Sequence, residues 1–275
     1  MTYISPMRYQ GCKRSLVPVI KELMPQDCTR MIDAFGGSAT VVLNMDTKHR
    51  LYNESNFHVF KIIELFARTD PKKTLSKIRR VIKRFDLTTD NDEQYYEFRS
   101  YANRRYDPLL FYILSRHAHS NMIRFNGNDG FNAPFGKRSL IGKMDVLERE
   151  VVEFYDRMHN VQLSNSRYAE LLNRISHQLD STFIYLDPPY LASGANIYDS
   201  WSEELDIKMM ANLDALDAKN VKWMMSNVLT HRHFENKRLA RWAKNYRLID
   251  VDKTYSLANA QQDSHSTREV IIVNY

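Results

Sequence analysis

The sequence contains only two cysteines among its 275 residues, Cys12 and Cys28. Two thiols are too few for a disulfide scaffold or for a metal site built from thiolates. No apolar run reaches the roughly 18 residues that a membrane-spanning helix needs, and the opening segment MTYISPMRYQGCKRS lacks the apolar centre of a signal peptide. We therefore expect a soluble protein of the cytoplasm.

Internal repeats and low-complexity segments are also lacking, whereas hydrophobic residues make up 43% of the chain, enough for a substantial core. The length allows one large domain, or one domain with a sizeable insertion. Lys and Arg number 39 against 33 acids, which gives a net charge of +6. This mild positive charge permits a nucleic-acid partner through phosphate neutralisation but does not require one.

Short β-rich runs alternate with helical stretches in both end regions of the chain. Residues 30–55 read as strand, glycine turn, helix, strand and acid, which is typical of the first half of a nucleotide-binding α/β fold. The last two runs are joined by a polar loop, so we predict a mostly parallel sheet with helices on both faces and an antiparallel end. The expected strands are 30–35, 49–55, 160–165, 182–187, 220–227, 246–252 and 268–275, and the expected helices between them include 202–216 and 232–243.

The middle of the chain has a different character. Apolar residues recur at helical spacing in 71–85 and again in 144–158, which predicts two amphipathic helices. Between them, RFNGNDGFNAPFGKRS (124–139) is rich in Gly, Asn and aromatic residues and has no periodicity, so we predict an exposed loop or hairpin. The predicted division is an α/β domain formed by 1–55 and 159–275, with a mainly helical insertion at 56–158.

The segment DAFGGSAT follows the first expected strand. Gly36 and Gly37 allow a tight turn and a close approach of the backbone to a ligand. Glu54 lies 18 residues beyond Gly36, at the end of the next expected strand, where such folds place an acid that binds ribose hydroxyls. A plain turn and a surface acid are the alternatives. The phosphate-binding pattern G-x-x-x-x-G-K-[ST] is absent, which favours a nucleoside ligand without a triphosphate.

The segment TFIYLDPPY drives a carboxylate, Asp187, to the end of an apolar strand. Pro188 and Pro189 end that strand because neither has a backbone N–H. Asp187 and a proline carbonyl offer two acceptors, which the fixed proline φ holds in place, and Tyr190 offers a flat ring. This combination suits a planar base with an exocyclic amine, and an ordinary D-P-P turn is the alternative.

Together these segments resemble the Dam-type adenine-specific DNA methyltransferases, which use S-adenosylmethionine. The resemblance covers nearly the whole chain in the family's order: MRYQGCKRSLVPVI, DAFGGSATVVLN, YNES, RFNGNDGFNAPFGK, YLDPPY, and the closing polar loop with TREVIIVNY. It implies a Rossmann-like methyltransferase sheet for the catalytic domain, 1–55 and 159–275. It also implies a target-recognition role for 56–158, with 124–139 as the DNA-reading loop.

The resemblance further implies a mechanism. The target adenine is flipped out of duplex DNA, stacked on Tyr190 and held by Asp187 and the Pro188 carbonyl. Its 6-amino nitrogen attacks the sulfonium methyl directly and in line, with no covalent enzyme intermediate and no metal. Lys13 is expected to pair with the carboxylate of the cofactor's methionine part. The implied cofactor-binding residues are Tyr9, Lys13, Phe35, Gly36, Gly37, Glu54 and Asp187, with a core position as the alternative for Phe35.

Four residues of the loop are candidates for base or phosphate contacts: Arg124, Asn126, Asn128 and Lys137. Loop solvation and turn formation are their alternative roles. The stretch Gly127–Gly130 departs from the family's Gly-Glu pattern, so the GATC site common in the family is not carried over. The expected partners are double-stranded DNA and a companion restriction endonuclease, in a bacterial or phage-infected cell.

Other targets of the same chemistry are an RNA adenine and the cytosine 4-amino group, and a catalytically silent DNA-binding relative is a further alternative. Asp187 favours adenine, because the cytosine enzymes usually carry Ser there, and the polar hairpin favours duplex DNA over RNA. The intact Lys13, Glu54 and Tyr190 argue against a silent relative. The runs KKTLSKIRRVIKR and ENKRLARWAK supply basic faces, which either are simply solvated or contact DNA phosphates.

Overall fold

The structure is a computed structural model that describes residues 2–175, 179–191, 201–232, 234–251 and 267–275. The polar loop predicted before the last strand lies outside these residues, as does most of the segment that follows the proline motif. No helix within the described residues is long and apolar enough to cross a membrane. The chain forms two compact units: a helical unit of Met1–Arg14, Gly37–Asn44 and Asn56–Asn165, and a sheet unit of Ser15–Gly36, Met45–Ser55 and Ser166–Tyr275.

Each unit has its own set of helices and strands. The helical unit contains α2 (Thr40–Asn44), α3 (Phe57–Arg68), α4 (Pro71–Arg84), α5 (Asp92–Asn103), α6 (Pro108–His117), α7 (Met144–Met158) and β3 (Gln162–Ser164). The sheet unit contains α1 (Val17–Leu23), β1 (Arg30–Asp33), β2 (His49–Asn53), α8 (Tyr168–Ile175), β4 (Thr182–Leu186), α9 (Glu203–Asp217), β5 (Lys222–His231), β6 (Phe234–Glu235), α10 (Lys237–Trp242), β7 (Arg247–Asp250) and β8 (Thr267–Val273).

Within the sheet unit the strand order is β2-β1-β4-β5-β8-β7. The strand β1 pairs in parallel with β2 and with β4, and β4 pairs in parallel with β5. The strand β8 is antiparallel to both of its neighbours, β5 and β7. The prediction of a mostly parallel sheet with an antiparallel final strand is confirmed.

All five residues of β4 are buried, as expected for a parallel strand that is covered on both faces. One of these faces packs on α8, α9 and α10 through a continuous apolar cluster. Its members include Ile32, Ile184, Trp223 and Ile272 from the strands and Leu171, Met209, Leu213 and Leu239 from the helices. Burial of these side chains, at about 25 cal/mol per Å² of apolar surface, provides the driving force that holds the strands in place.

The helix predicted over 232–243 is shorter than expected. The short strand β6 pairs antiparallel with the end of β5, and α10 begins only at Lys237. The side chain of Asn236 accepts a hydrogen bond from the backbone N–H of Leu239 at 3.0 Å, which caps the helix there. Apolar periodicity does not show where a helix begins when a short strand directly precedes its cap.

In the helical unit, the two amphipathic helices predicted from periodicity are confirmed as α4 and α7. The segment 124–139 forms a hairpin-like loop with isolated bridges between Phe125 and Phe131 and between Ala118 and Phe135. Its middle is not exposed, because Phe131 and Ala133 retain only 1% and 0% of their accessible surface. The exposed part of this loop is therefore narrower than the sequence suggests.

Substituting Gly136 by Ala is expected to destabilise the helical unit. A Cβ atom at this position would lie 2.4 Å from the backbone of Ala118 and His119, which has no flexible end to move aside. Overpacking of this kind costs about 1–3 kcal/mol, so the melting temperature should fall by several degrees. The matched control is Gly127→Ala, where a Cβ meets nothing within 4 Å. Equal melting temperatures for both variants in thermal denaturation would contradict this packing.

Candidate active site

Three neighbouring strands of the sheet unit carry the predicted site residues at their carboxyl ends. Asp33, the last residue of β1, is paired with Tyr52 of β2 on one side and with Tyr185 of β4 on the other. Because the three strands are parallel and in this register, the segments that follow them leave the same edge of the sheet. Those segments carry Phe35 and Gly36 after β1, Glu54 after β2, and Asp187, Pro188 and Tyr190 after β4.

A buried asparagine that the sequence analysis did not assign to the site, Asn53, joins the ends of β1 and β2. Its side-chain Nδ2 donates to the carbonyls of Ala34 at 3.0 Å and Ser166 at 2.9 Å. The backbone carbonyl of Asn53 accepts a hydrogen bond from the N–H of Gly36 at 2.7 Å. These bonds hold the glycine turn against the end of β2, directly before Glu54. The only sequence signal for Asn53 was its position next to that acid.

Both glycines of the turn, Gly36 in the sheet unit and Gly37 in the helical unit, lie where a side chain would crowd a tyrosine ring. A Cβ atom at Gly36 would lie 2.2 Å from the ring of Tyr52, so the missing side chain makes room for that ring. In the helical unit, Gly37 has a φ of +48°, in the left-handed region that favours glycine. A Cβ atom on Gly37 would lie 3.3 Å from the ring of Tyr9. Within the helical unit, two predicted cofactor-binding residues, Tyr9 and Gly37, are therefore neighbours.

Phe35 lies in an aromatic group of the sheet unit. Its ring stacks on Tyr168 with a centroid distance of 5.2 Å and meets the edge of Trp201 at 5.7 Å. It is partly buried and packs against the apolar core of the sheet. Phe35 thus has the core contacts that were considered as its alternative role.

The side chain of Tyr190 is anchored to Asp187. Its hydroxyl donates to Asp187 Oδ1 at 2.7 Å, and Glu269 Oε1 lies 3.5 Å from the same hydroxyl oxygen. Since a hydroxyl has one proton to donate, the shorter distance assigns it to Asp187. Burial, followed by the negative charges of Asp187 and Glu269, raises the pKa of Tyr190 well above its usual value. Tyr190 therefore remains a protonated donor throughout the physiological pH range.

Glu269 is a second residue that the sequence analysis missed. It lies on β8, opposite Val228 of β5. The sequence gives no local signal for its approach to Tyr190, because the two residues are 79 positions apart. Only the sheet order, which places β5 between β4 and β8, brings this strand close to the proline motif.

In the N-terminal segment of the helical unit, Lys13 is largely buried, with 9% of its surface exposed. Its Nζ donates to the carbonyl of Gly11 at 2.9 Å. A lysine with a mostly buried stem and a hydrogen-bonded head has a restricted position. No group of three His, Cys, Asp or Glu side chains within the described parts of the chain is arranged to hold a metal ion.

The four residues of the loop that are candidates for DNA contacts differ in whether their side chains make hydrogen bonds within the loop. Arg124 is engaged within the loop, since its Nε and Nη2 donate to the side chain and the backbone carbonyl of Asn132 at 2.8 and 2.9 Å. Asn126 is engaged as well, because its Oδ1 accepts from the backbone N–H of Asn128 at 3.0 Å and of Gly130 at 2.9 Å. Asn128 and Lys137 are exposed, as is Asn126, but within the described loop neither Asn128 nor Lys137 has a side-chain role in shaping the turn.

The base of this loop is fixed by aromatic packing. The ring of Phe125 stacks on His58 of α3 at 3.7 Å between centroids and meets the edge of Phe111 of α6 at 5.1 Å. The loop backbone is also bound by α5, where Asn103 exchanges two hydrogen bonds with the backbone of Phe131. The loop thus presents its exposed tip from a rigid support.

Comparison with known proteins identifies methyltransferases and methylases that are similar to this chain. Type II methyltransferase M.FokI of Planomicrobium okeanokoites is 30% identical over 280 aligned positions, which cover 98% of this chain and 43% of that protein. Modification methylase StsI of Streptococcus sanguinis is 27% identical with the same coverage. The chain therefore spans less than half the length of these two relatives. The DNA adenine methylase of Escherichia coli K12 is 25% identical over 85% of this chain and 84% of its own length.

A family model covers nearly the same span as these relatives. The model of the D12 class N6 adenine-specific DNA methyltransferases matches residues 9–257, from the N-terminal segment that contains Lys13 to beyond β7. This range includes the glycine turn, the acid that follows β2, the loop at 124–139 and the proline motif. The resemblance that the sequence analysis identified is confirmed. The chain belongs to the D12 class of N6 adenine-specific DNA methyltransferases.

Proposed function

We propose that this chain transfers a methyl group from S-adenosylmethionine to the 6-amino group of adenine in double-stranded DNA. The family acts on adenine in DNA, and membership implies S-adenosylmethionine as the methyl donor. The observation that carries the proposal is the position of Glu54 and Asp187. They follow the two strands that flank β1, so an acid for a ribose and an acceptor for an amine lie at one edge of the sheet.

The residues of the sheet unit fit this cofactor chemically. Glu54, with 8% of its surface exposed, has a carboxylate suited to the two ribose hydroxyls. Phe35 offers part of a ring, and Gly36 is held in place by Asn53. When bound, the cofactor supplies the methyl group and a sulfonium that leaves as a neutral thioether.

Three residues of the helical unit are proposed to bind the same cofactor on the strength of the family resemblance. Lys13 provides a charge-assisted partner for the carboxylate of the methionine part. Tyr9 and Gly37, which lie against one another, provide a ring and an exposed backbone. The proposed role of these three residues is to orient the methionine part of the cofactor, and none of them transfers a proton.

Asp187 and the carbonyl of Pro188 are proposed to accept hydrogen bonds from the adenine amine. Accepting these bonds draws the amino nitrogen toward a tetrahedral form, whose lone pair is available to attack the methyl carbon. The Tyr190 hydroxyl donates to one oxygen of Asp187, which helps to fix the orientation of the carboxylate. The Tyr190 ring is the proposed stacking surface for the flipped base.

The loop at 124–139 is proposed to read the DNA. Arg124 and Asn126 have structural roles there, since their hydrogen bonds shape the turn. Asn128 and Lys137, which are exposed, are the stronger candidates for base and phosphate contacts. The names of the relatives include a type II methyltransferase and modification methylases, so we also propose a companion restriction endonuclease for this protein.

A labelling experiment tests the proposed function. The protein is incubated with methyl-labelled S-adenosylmethionine and unmethylated duplex DNA, RNA or no nucleic acid, and the products are digested to nucleosides. Label is expected in N6-methyladenine from duplex DNA only. Label in 4-methylcytosine or in RNA, or no incorporation at all, would contradict the proposal. Methylation-sensitive sequencing of the product would then give the recognition site.

Replacing Asp187 with Ala is expected to lower kcat for methyl transfer by about 100-fold or more, because a preorganised acceptor for the amine is lost. Binding of S-adenosylmethionine, measured by calorimetry, should be largely retained through Glu54 and Lys13. Asp180→Ala, which removes an exposed acid just before the same strand, is the matched control and should have wild-type kcat. Retained activity in the Asp187 variant would overturn its assigned role.

Replacing Tyr190 with Phe separates the two roles of this side chain. The ring remains, but the hydrogen bond to Asp187 is lost, and such a bond to a charged group contributes about 1.5–3 kcal/mol. We expect kcat to fall about 10- to 100-fold with little change in KM for DNA. Tyr190→Ala should lower kcat further and raise KM, because the stacking surface is also removed. Wild-type kinetics in Tyr190→Phe would show that the hydroxyl contact has no role in turnover.

A further inference from the structure

Helix α4 carries seven basic residues and no acid in its 14 positions. Its packing depends on the opposite side, where Leu75, Ile78 and Ile82 are buried. The seven basic side chains are all exposed. This charge makes no contribution to the core of the helical unit, and its presence needs another explanation.

Two of the seven charges have acidic partners. Lys77 pairs with Asp107 at 2.6 Å, and Arg79 pairs with Glu148 at 2.7 Å. Within the described parts of the chain, the other five have no ion pair. Arg84 contacts an aromatic ring, and the remaining four lie within about 100° of one another around the helix axis, on a side that does not overlap the buried residues. We call these four residues the basic face of α4: Lys72, Lys73, Arg80 and Lys83.

The positive surface continues beyond the end of α4. Arg84 and Arg105 lie on the ring of Tyr101, with guanidinium carbons 5.0 and 3.8 Å from its centroid. A contact between a cation and an aromatic ring holds the guanidinium group in place without neutralising its charge. The structure thus keeps these two arginines positioned as cations next to the basic face.

Helix stability accounts for Lys83, whose position in the last turn is favoured by the helix dipole, but not for the other three residues of the basic face. Lys72 and Lys73 lie in the first turn, where the helix dipole disfavours positive charge. Arg80 is followed by Lys83 and Arg84 at spacings of three and four residues, where like charges repel. A helix that tolerates both unfavourable arrangements without any acid is well matched to an external anion.

The basic face belongs to the same rigid part as the loop at 124–139. Phe85, which follows α4, packs on Phe98 of α5 with 4.9 Å between ring centroids. In turn, Tyr95 of α5 donates from its hydroxyl to the carbonyl of Ala133 in the loop at 2.9 Å. An anion bound on α4 and a base read by the loop would therefore be held by one connected framework within the helical unit.

We propose that the basic face of α4 binds the phosphates of the duplex DNA substrate, outside the bases that the loop reads. This inference rests on the proposed function for the identity of the nucleic acid. From Lys72 to Lys83 the helix rises about 16 Å. That length corresponds to about four or five phosphate steps of one DNA strand, at roughly 3.4 Å of axial rise per nucleotide. Such contacts contribute affinity and position but carry no base specificity.

The test replaces all four residues of the basic face together: Lys72→Gln, Lys73→Gln, Arg80→Gln and Lys83→Gln. Equilibrium binding to mixed-sequence unmethylated duplex DNA is measured between 50 and 200 mM salt. Each phosphate contact that is lost should reduce the slope of log affinity against log salt by about 0.9. Over this salt range, the variant should lose about 3.5-fold less affinity than wild type for each such contact.

The control removes the same charge from exposed positions of the sheet unit that lie outside the basic run ENKRLARWAK: Lys48→Gln, Lys208→Gln, Lys219→Gln and Arg247→Gln. It should keep the wild-type slope. The basic-face variant should melt at or above the wild-type temperature, because repulsion within α4 is relieved. Its methylated sites should be unchanged on sequencing, since no base contact has been removed.

Two results would overturn the inference: a wild-type slope in the basic-face variant, or an equal reduction in both variants, which would indicate net charge alone. A reduced slope with RNA but not with duplex DNA would also overturn it. The outcome is independent of the labelling experiment, because binding is measured without turnover. Normal methylation with an unchanged slope rejects only the phosphate surface, whereas absent methylation with a reduced slope rejects only the proposed function.

Discussion

The parallel pairing of β1 with β2 on one side and with β4 on the other is the constraint on which the candidate site depends. Parallel register brings three carboxyl ends to one edge, so residues far apart in sequence become neighbours. The edge is then locked by Asn53, which satisfies the carbonyl of Ala34, just before the glycine turn, and that of Ser166, just before α8. Buried carbonyls left without these bonds would each cost about 1–3 kcal/mol, which explains a buried amide at this point.

In the proline motif, one hydroxyl lies near two carboxylates and donates to one of them. Tyr190 has a single proton, and the 2.7 Å contact gives it to Asp187, while Glu269 stays 3.5 Å from the oxygen. The two negative charges and burial all disfavour a phenolate, so the donor does not titrate at neutral pH.

Much of the sheet was predictable because its signals are local. Apolar β-rich runs, a glycine pair and two prolines mark strand ends within a few residues, and α4 and α7 follow directly from their apolar periodicity. The start of α10 was not predictable, since a cap competes there with a two-residue strand. Glu269 and the burial of Phe131 depend on contacts between distant segments, which a single sequence does not report.

The recognition loop shows why residue type alone does not assign a role. Arg124 and Asn126 have the chemistry to read bases, yet their hydrogen bonds are made within the loop, to Asn132 and to turn N–H groups. Each of these bonds uses only part of the hydrogen-bonding capacity of its side chain, but it fixes where that side chain lies. The proposed sequence readout then rests on few side chains, which contribute little affinity by themselves. A phosphate-binding surface elsewhere on the same rigid framework, such as the basic face of α4, resolves this shortage by separating affinity from specificity.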